Sequence, residues 1–156
     1  DMIVFVSDPI TYIGTMENIE KAKVSGVRAT YSQMLLDDRL GLDFGLEYRL
    51  PKNETDDEYI ANQNRLKLTA AASWQATERL NLNAGIEYVG SRWTNESNFN
   101  PQLGDYTVVD ISANYAVDDL SNVKFAVENL FDEDYQTIPG YNAPGTTVTL
   151  SYRRTF

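Results

Sequence analysis

The chain has 156 residues, 23 acidic against 13 basic, a net charge of −10, and neither Cys nor His. The acidic balance leaves no basic stripe for nucleic-acid phosphates, the missing Cys excludes disulfides and thiolate metal sites, and the missing His removes the commonest general base and transition-metal ligand. Length fits one domain, and no apolar run approaches the ~18 residues of a membrane helix, although a membrane-spanning sheet needs none.

In chain order the spacing predicts strands over 2–6, 20–34, 40–50, 65–76, 80–90, 106–117, 123–131 and 146–156. Apolar and polar residues alternate along most of them, as in Leu40, Leu42, Phe44, Leu46 and Tyr48 against Gly41, Asp43, Gly45, Glu47 and Arg49. In 20–34 the parity slips: Ala22 and Val24 share one face, while Val27, Ala29 and Tyr31 share the other. A bulge is expected at Gly26, where the slip occurs. The opening DMIVFVSD carries no basic or signal-like region, so the chain is expected to be mature or part of something longer.

Most of these strands exceed the ~5–6 residues of a soluble strand and suit a tilted bilayer crossing, which needs ~9–11. The connections between them run 13, 5, 14, 3, 15, 5 and 14 residues, long and short in strict alternation. A meander with long loops at one end and tight turns at the other is the pattern of an outer-membrane barrel. The four long loops hold eleven acids against only Lys52 and Arg92. Aromatics sort by height, with Tyr31, Trp74, Tyr115, Tyr152 and Phe156 towards the short turns and Tyr48, Tyr88, Trp93, Tyr106 and Phe131 towards the long loops. Two such belts are what interfacial Tyr and Trp form, although aromatics also favour strands in general. The expected fold is therefore all-β, an antiparallel transmembrane β-barrel meander of about eight strands. A soluble sandwich would explain the alternation but not the segregated loops.

The segment VENLFDEDYQTIPGYNAPGTTVTLSYRRTF (127–156) resembles the carboxy-terminal end of TonB-dependent outer-membrane receptors. The resemblance rests on Val127, Asn129, Leu130, Phe131, Asp132 and Tyr135, then Gly140, Tyr141, Pro144, Gly145 and Phe156. NIEKAKVSGVRATY (18–31) resembles a further strand of the family, with Arg28 where the family carries an acid, and LNLNAGIEYVGSRW (80–93) resembles its penultimate strand pairs. The GY loop and the GSRW strand end are closest to the cobalamin (vitamin B12) receptor group, with iron-siderophore receptors close behind. This resemblance implies the last third of a 22-stranded barrel with a plugged lumen. The plug and TonB box of the family belong to its amino-terminal part and are not matched here. The chain is thus expected to be a carboxy-terminal fragment, a cleavage product or half of a split receptor. Implied partners are the rest of the barrel and its plug, TonB through the missing part, outer-membrane lipid and lipopolysaccharide, and the assembly machinery. The implied location is the bacterial outer membrane, with long acidic loops extracellular and the carboxy-terminus periplasmic. An alternative is a self-contained eight-stranded barrel with a structural or adhesive role.

No catalytic constellation is present, because the Ser and Thr residues have no His partner. No resident cofactor is implied. The runs ETDDE (54–58) and DEDY (132–135) carry hard oxygen ligands of the kind Ca²⁺ takes, although a solvated loop surface is the plainer reading. The lumen mouth and long loops are the default ligand site, with Trp93, Asn98, Phe99, Tyr135, Tyr141 and Asn142 as candidate contacts for a large planar or amphipathic ligand. Asn62 and Arg65 stand where the loop 51–64 re-enters the wall. For the aromatics, girdle or loop packing competes with ligand contact. Asn129 and Asp132 suit a loop-anchoring role, since their side chains satisfy turn backbone groups. In the last strand Val148, Leu150, Tyr152 and Phe156 share the lipid-facing parity. In the family such an alternating end with a terminal aromatic resembles the signal read during outer-membrane assembly. Arg154 breaks that parity at the extreme end, where a long cation can snorkel.

Overall fold

A computed structural model of the protein describes residues 2–7, 14–19, 21–54, 57–94 and 102–156. In chain order the strands are β1 Met2–Ser7, β2 Gly14–Ile19, β3 Ala22–Leu35, β4 Leu40–Asn53, β5 Glu58–Tyr59, β6 Leu66–Gln75, β7 Leu80–Val89, β8 Arg92–Trp93, β9 Gln102–Leu103, β10 Tyr106–Asp118, β11 Ser121–Glu128, β12 Gln136–Ile138, β13 Tyr141–Asn142 and β14 Thr147–Arg154. The long strands form one antiparallel sheet in the order β14-β11-β10-β7-β6-β4-β3, with β5 added to the end of β4. Sequence neighbours pair throughout, as in a meander. β3 and β14 are its two edges and do not pair with each other, so the sheet is an open wall rather than a closed eight-stranded barrel.

Three details depart from the sequence expectation. The segment 7–19, taken as a loop, contains β2, which pairs with β1 from Met2↔Ile19 to Ser7↔Gly14. No bulge occurs at Gly26, because β3 and β4 keep one register from Ala22↔Asn53 to Leu35↔Leu40. Ala22 and Val24, the residues of the other parity, are exposed like the rest of β3. Above Arg49, β4 runs beyond the apolar band, and Pro51 is buried beside the likewise buried Ile60 and Asn53. Ile60 donates its backbone N–H to the Pro51 carbonyl at 3.0 Å. The register shift falls instead at the other end of the sheet, between Ala116 and Asp118, where β10 turns into β11.

Gly26 serves a close backbone approach. A Cβ built on it would stand 2.2 Å from the Tyr48 carbonyl oxygen and 3.0 Å from the Arg49 Cα, both backbone atoms that cannot swing aside. Gly26→Ala is therefore expected to destabilise the β3–β4 pair by about 2 kcal/mol, the scale of overpacking in a well-packed site. Urea-dependent refolding into detergent micelles measures it, and an unchanged midpoint would refute the steric argument.

The sheet has one layer and two contrasting faces. Outward, in-register rows such as Ala29–Leu46–Leu68–Tyr88 and Leu40–Trp74–Leu82–Ala113 are apolar. These side chains are uncovered: Leu150 is 73% exposed, Val148 61% and Phe44 47%. Such an area of exposed apolar surface is stable in hydrocarbon, not in water. Inward, the rows are polar. Arg28, Glu47 and Lys67 lie in register across β3, β4 and β6, and Asn83 donates to Asn81 at 2.7 Å and to Ser112 at 3.4 Å.

The short turns are tied to one another. Arg39 donates to the carbonyls of Gln75 at 3.1 Å and Ala76 at 2.7 Å, joining the first turn to the second. Thr77 Oγ1 accepts from the N–H groups of Arg79 and Leu80, and Asp118 Oδ1 accepts from Leu120 N–H. These are the local side-chain bonds that make Thr and Asp turn formers.

Candidate functional site at the long-loop end

The long loops do not hang free of the wall. In their described residues the loops 51–64, 91–105 and 132–145 each form a short hairpin or strand addition, and hydrogen bonds tie each to the next. In the first, β5 pairs with β4 through Lys52↔Tyr59 and Asn53↔Glu58. Lys52 Nζ donates to Asp57 Oδ1 at 2.6 Å, and the Tyr59 ring has Lys52 at 5.3 Å and Arg65 at 4.8 Å from its centroid. Cation–π contact thus occupies Arg65. Asn62, in the left-handed region at φ 58, donates its backbone N–H to the Trp93 carbonyl at 2.7 Å and so joins the first loop to the second.

β8 and β9 pair through Arg92↔Leu103 and Trp93↔Gln102. Arg92 is 6% exposed. Its Nη2 donates to the Gln136 carbonyl at 2.7 Å and to the Thr137 carbonyl at 2.8 Å, joining the second loop to the third. In that third loop Gln136 Nε2 donates to Asn142 Oδ1 at 2.6 Å, and Gly140 N–H donates to Gln136 Oε1 at 2.9 Å. The Tyr135 ring stacks on Tyr106 with centroids 4.2 Å apart.

Beneath this loop sits a clamp built on Asn129, which is 4% exposed and at φ 50. Its Nδ2 donates to the carbonyls of Glu133 at 2.9 Å and Pro144 at 3.2 Å, while its Oδ1 accepts from Glu133 N–H at 2.9 Å. Its backbone N–H donates to Asp110 Oδ1 at 2.8 Å, and its carbonyl accepts from Thr146 Oγ1 at 2.7 Å. Asp132 accepts from Thr146 N–H at 2.9 Å and lies where a Cβ on Gly145 would come within 2.5 Å. The Asn–Leu–Phe–Asp stretch and the Pro–Gly pair are thus two sides of one knot. The expected loop-anchoring bonds of Asn129 and Asp132 are present.

The candidate ligand residues separate into groups. Asn62 and Trp93 meet through backbone, Arg65 packs on Tyr59, and Asn142 is bonded to Gln136. Tyr141 is 73% exposed at the hairpin tip. Asn142 and Tyr135 line a polar cavity of about 250 Å³ with Gln102, Asp105, Asp134 and Gln136. Asn98 and Phe99 lie outside the described residues. Tyr106, expected in the outer aromatic belt, instead shares the inward row of Val89 and Lys67 and is buried beneath Tyr135. Along β10 it has the parity of the inward-facing Ser112 and Asn114. Arg92 and Gln136 escaped the sequence reading. The signal for Arg92 was its isolation, since it and Lys52 are the two cations of loops holding eleven acids, and both prove to bind loop segments together.

Among the described residues no three acidic side chains converge on a possible metal position. Asp57 is engaged by Lys52, and Asp132 by Thr146. At the opposite end, β14 pairs with β11 alone and leaves Val148, Leu150 and Tyr152 on the outward face, with Phe156 fully exposed beyond it. Arg154 turns its guanidinium over the Phe156 ring at 5.9 Å.

Comparison with known proteins agrees with this geometry. The family described as "TonB dependent receptor-like, beta-barrel" matches residues 1–130. The vitamin B12 transporter BtuB of Vibrio vulnificus is 29% identical over 125 residues, covering 79% of this chain and 19% of its own length. The iron-regulated outer membrane virulence protein of Vibrio cholerae is 31% identical over 125 residues, covering 75% of this chain and 19% of its own length. Among solved structures, the ferric enterobactin receptor of Pseudomonas aeruginosa superposes with a TM-score of 0.77 at 25% identity, over 99% of this chain and 27% of that one. The chain thus spans about a fifth of the curated relatives it matches. It belongs to the TonB-dependent receptors as part of their outer-membrane β-barrel wall.

Proposed function

We propose that this chain is the carboxy-terminal barrel wall of an outer-membrane receptor that binds and imports a large, scarce nutrient such as cobalamin or a ferric siderophore. The observation that carries the reading is the relay across the loop end. The contacts Asn62–Trp93, Arg92–Gln136 and Gln136–Asn142 hold three loops as one rigid rim on a lipid-facing wall. A preorganised rim loses little entropy when a bulky ligand docks, which is where affinity for a dilute solute comes from. The role is binding and transport rather than catalysis, and its relatives are transport receptors.

The two open sheet edges favour this reading over a self-contained small barrel, because each presents unpaired backbone groups that hydrocarbon would not tolerate. The proposed partners are the remaining strands of such a barrel, its luminal plug and TonB. Lipid and lipopolysaccharide surround the outer face. The outward-facing Val148, Leu150, Tyr152 and Phe156 form the segment offered to the assembly machinery. The deciding experiment is equilibrium binding of cyanocobalamin and of ferric enterobactin to the complete receptor. Saturable binding of one of them is expected, and the absence of binding by cobalamin and by a panel of ferric siderophores would sink the assignment.

A further inference from the structure

The cavity between the second and third loops has a chemistry that selects its occupant. At about 250 Å³ it has room for on the order of eight waters. That is below the ~300–1,000 Å³ of a pocket for a whole ligand, and it suits one short arm of a larger one. Its polar walls are Gln102 and Asp105 from the second loop and Asp134, Gln136 and Asn142 from the third, with Tyr135 beside them. Among the described residues no cation lines it.

These walls are fixed before any ligand arrives. Both ends of the Gln136 amide are engaged, Nε2 by Asn142 Oδ1 at 2.6 Å and Oε1 by Gly140 N–H at 2.9 Å. The Tyr135 ring is stacked on Tyr106, and the Tyr135 carbonyl accepts from Ala143 N–H at 2.8 Å. Asp105 is hydrogen-bonded to Tyr88. The side chains of Gln102 and Asp134 have no hydrogen-bond or ion-pair partner among the described residues. A visitor therefore meets a mixed set, amide N–H donors on Gln102 and Asn142 and carboxylate acceptors on Asp105 and Asp134.

Charge around the cavity is one-sided. By sequence the second and third loops hold Glu96, Asp105, Asp132, Glu133 and Asp134 against Arg92 alone. Arg92 is buried and already gives Nη2 to the Gln136 and Thr137 carbonyls. In the first loop Lys52 is engaged by Asp57, and Arg65 lies over Tyr59. Further out on the third loop, Ile138 and Tyr141 face each other across β12 and β13 and are 60% and 73% exposed. An apolar platform thus adjoins a polar slot.

We infer that this cavity receives a primary carboxamide arm of an uncharged ligand whose apolar body rests on Ile138 and Tyr141, and that the same loops turn away polyanionic iron chelates. The inference rests on the receptor reading above and chooses between its two ligand classes. A primary carboxamide donates N–H to Asp134 and accepts from Gln102 or Asn142 through its carbonyl. An ammonium group would leave those amide donors without an acceptor. A carboxylate or catecholate oxygen would meet Asp105 and Asp134 with like charge. Cobalamin, a macrocycle fringed with carboxamides, has the matching chemistry, and a ferric tris-catecholate does not.

The test is equilibrium binding to the complete receptor in detergent at low ionic strength, where exposed charges are least screened. The probes are cyanocobalamin, ferric enterobactin, and the isomeric monocarboxylates of cyanocobalamin, in each of which one propionamide is hydrolysed to the acid. Cyanocobalamin is expected to bind, and ferric enterobactin to bind about a hundredfold or more weakly. One of the monocarboxylates should bind about tenfold or more weakly than the parent, the scale of a charge-assisted contact replaced by a like-charge one. Asp134→Asn keeps the shape and removes the charge, so it should cut that penalty to about threefold. Glu78→Gln, at the short-turn end, should leave it unchanged within about twofold. Heat-modifiable migration verifies the barrel of each variant. The proposal is overturned if cyanocobalamin binds but Asp134→Asn alters no monocarboxylate's penalty, or if ferric enterobactin binds as tightly as cyanocobalamin. Binding of a ferric siderophore without binding of cyanocobalamin overturns it too, while the receptor reading stands. Binding of neither class would instead overturn the receptor reading itself.

Discussion

Asn129→Ala is expected to cost about 3 kcal/mol and to free the loop 132–145 from the wall. The side chain makes three hydrogen bonds to loop backbone, to the Glu133 carbonyl, the Pro144 carbonyl and Glu133 N–H. Each contributes about 1 kcal/mol net, and the groups left unpaired are buried. The φ of 50 adds to this, because the left-handed region costs Ala about 1 kcal/mol more than Asn. The contributions can be separated. Asn129→Gly keeps the backbone conformation and loses the bonds, while Asn129→Asp keeps the acceptor and loses both donors. The order of stability should be wild type, then Asp and Gly, then Ala. The measurements are urea refolding midpoints in detergent and protease cleavage within 132–145. Indistinguishable midpoints for Ala and wild type would refute the clamp.

The second large effect is expected at Arg92, the buried cation that spans two loops. Arg92→Met fills similar space but strands the Gln136 and Thr137 carbonyls, which receive its Nη2 at 2.7 and 2.8 Å. Bonds to a charged group contribute about 1.5–3 kcal/mol. Their loss should separate the second and third loops while the long strands, which do not depend on Arg92, keep their pairing. The signature is a split result, with heat-modifiable migration unchanged and ligand affinity in the complete receptor reduced by about tenfold or more. Arg92→Lys should recover only part of it, because an ammonium group lacks the planar fork. A variant that bound ligand normally would show that the rim is held by other contacts.

These two residues illustrate different degrees of legibility. Asn129 and Asp132 were readable as loop anchors because the reason is local: short polar side chains tolerate positive φ and bond to nearby backbone. Arg92 was not readable as a strut, since its partners stand 44 and 45 residues further along the chain. Tyr106 was placed in the aromatic belt by its height, yet it turns inward under Tyr135. Its facing follows from the alternation along β10, where it shares the inward parity of Asp110, Ser112 and Asn114. Gly26 was recognised as special for the wrong reason. It marks a close backbone approach to Tyr48, and β3 runs through it without a bulge.

The sequence by itself determined the long strands of the wall, their order as a meander, the lipid-facing and inward parities, and the separation of long acidic loops from short turns, but not the short strands within those loops. All of these follow from period-two patterning and turn chemistry, which act between near neighbours. Tertiary structure alone decided three things. The wall stays open, with β3 and β14 as edges. The long loops are braced by Arg92 and Gln136 into a single rim. Inward, Arg28 meets Glu47 and Lys67 meets Glu87 across neighbouring strands. Each depends on which residues from distant strands come into register, and local pattern carries no record of that.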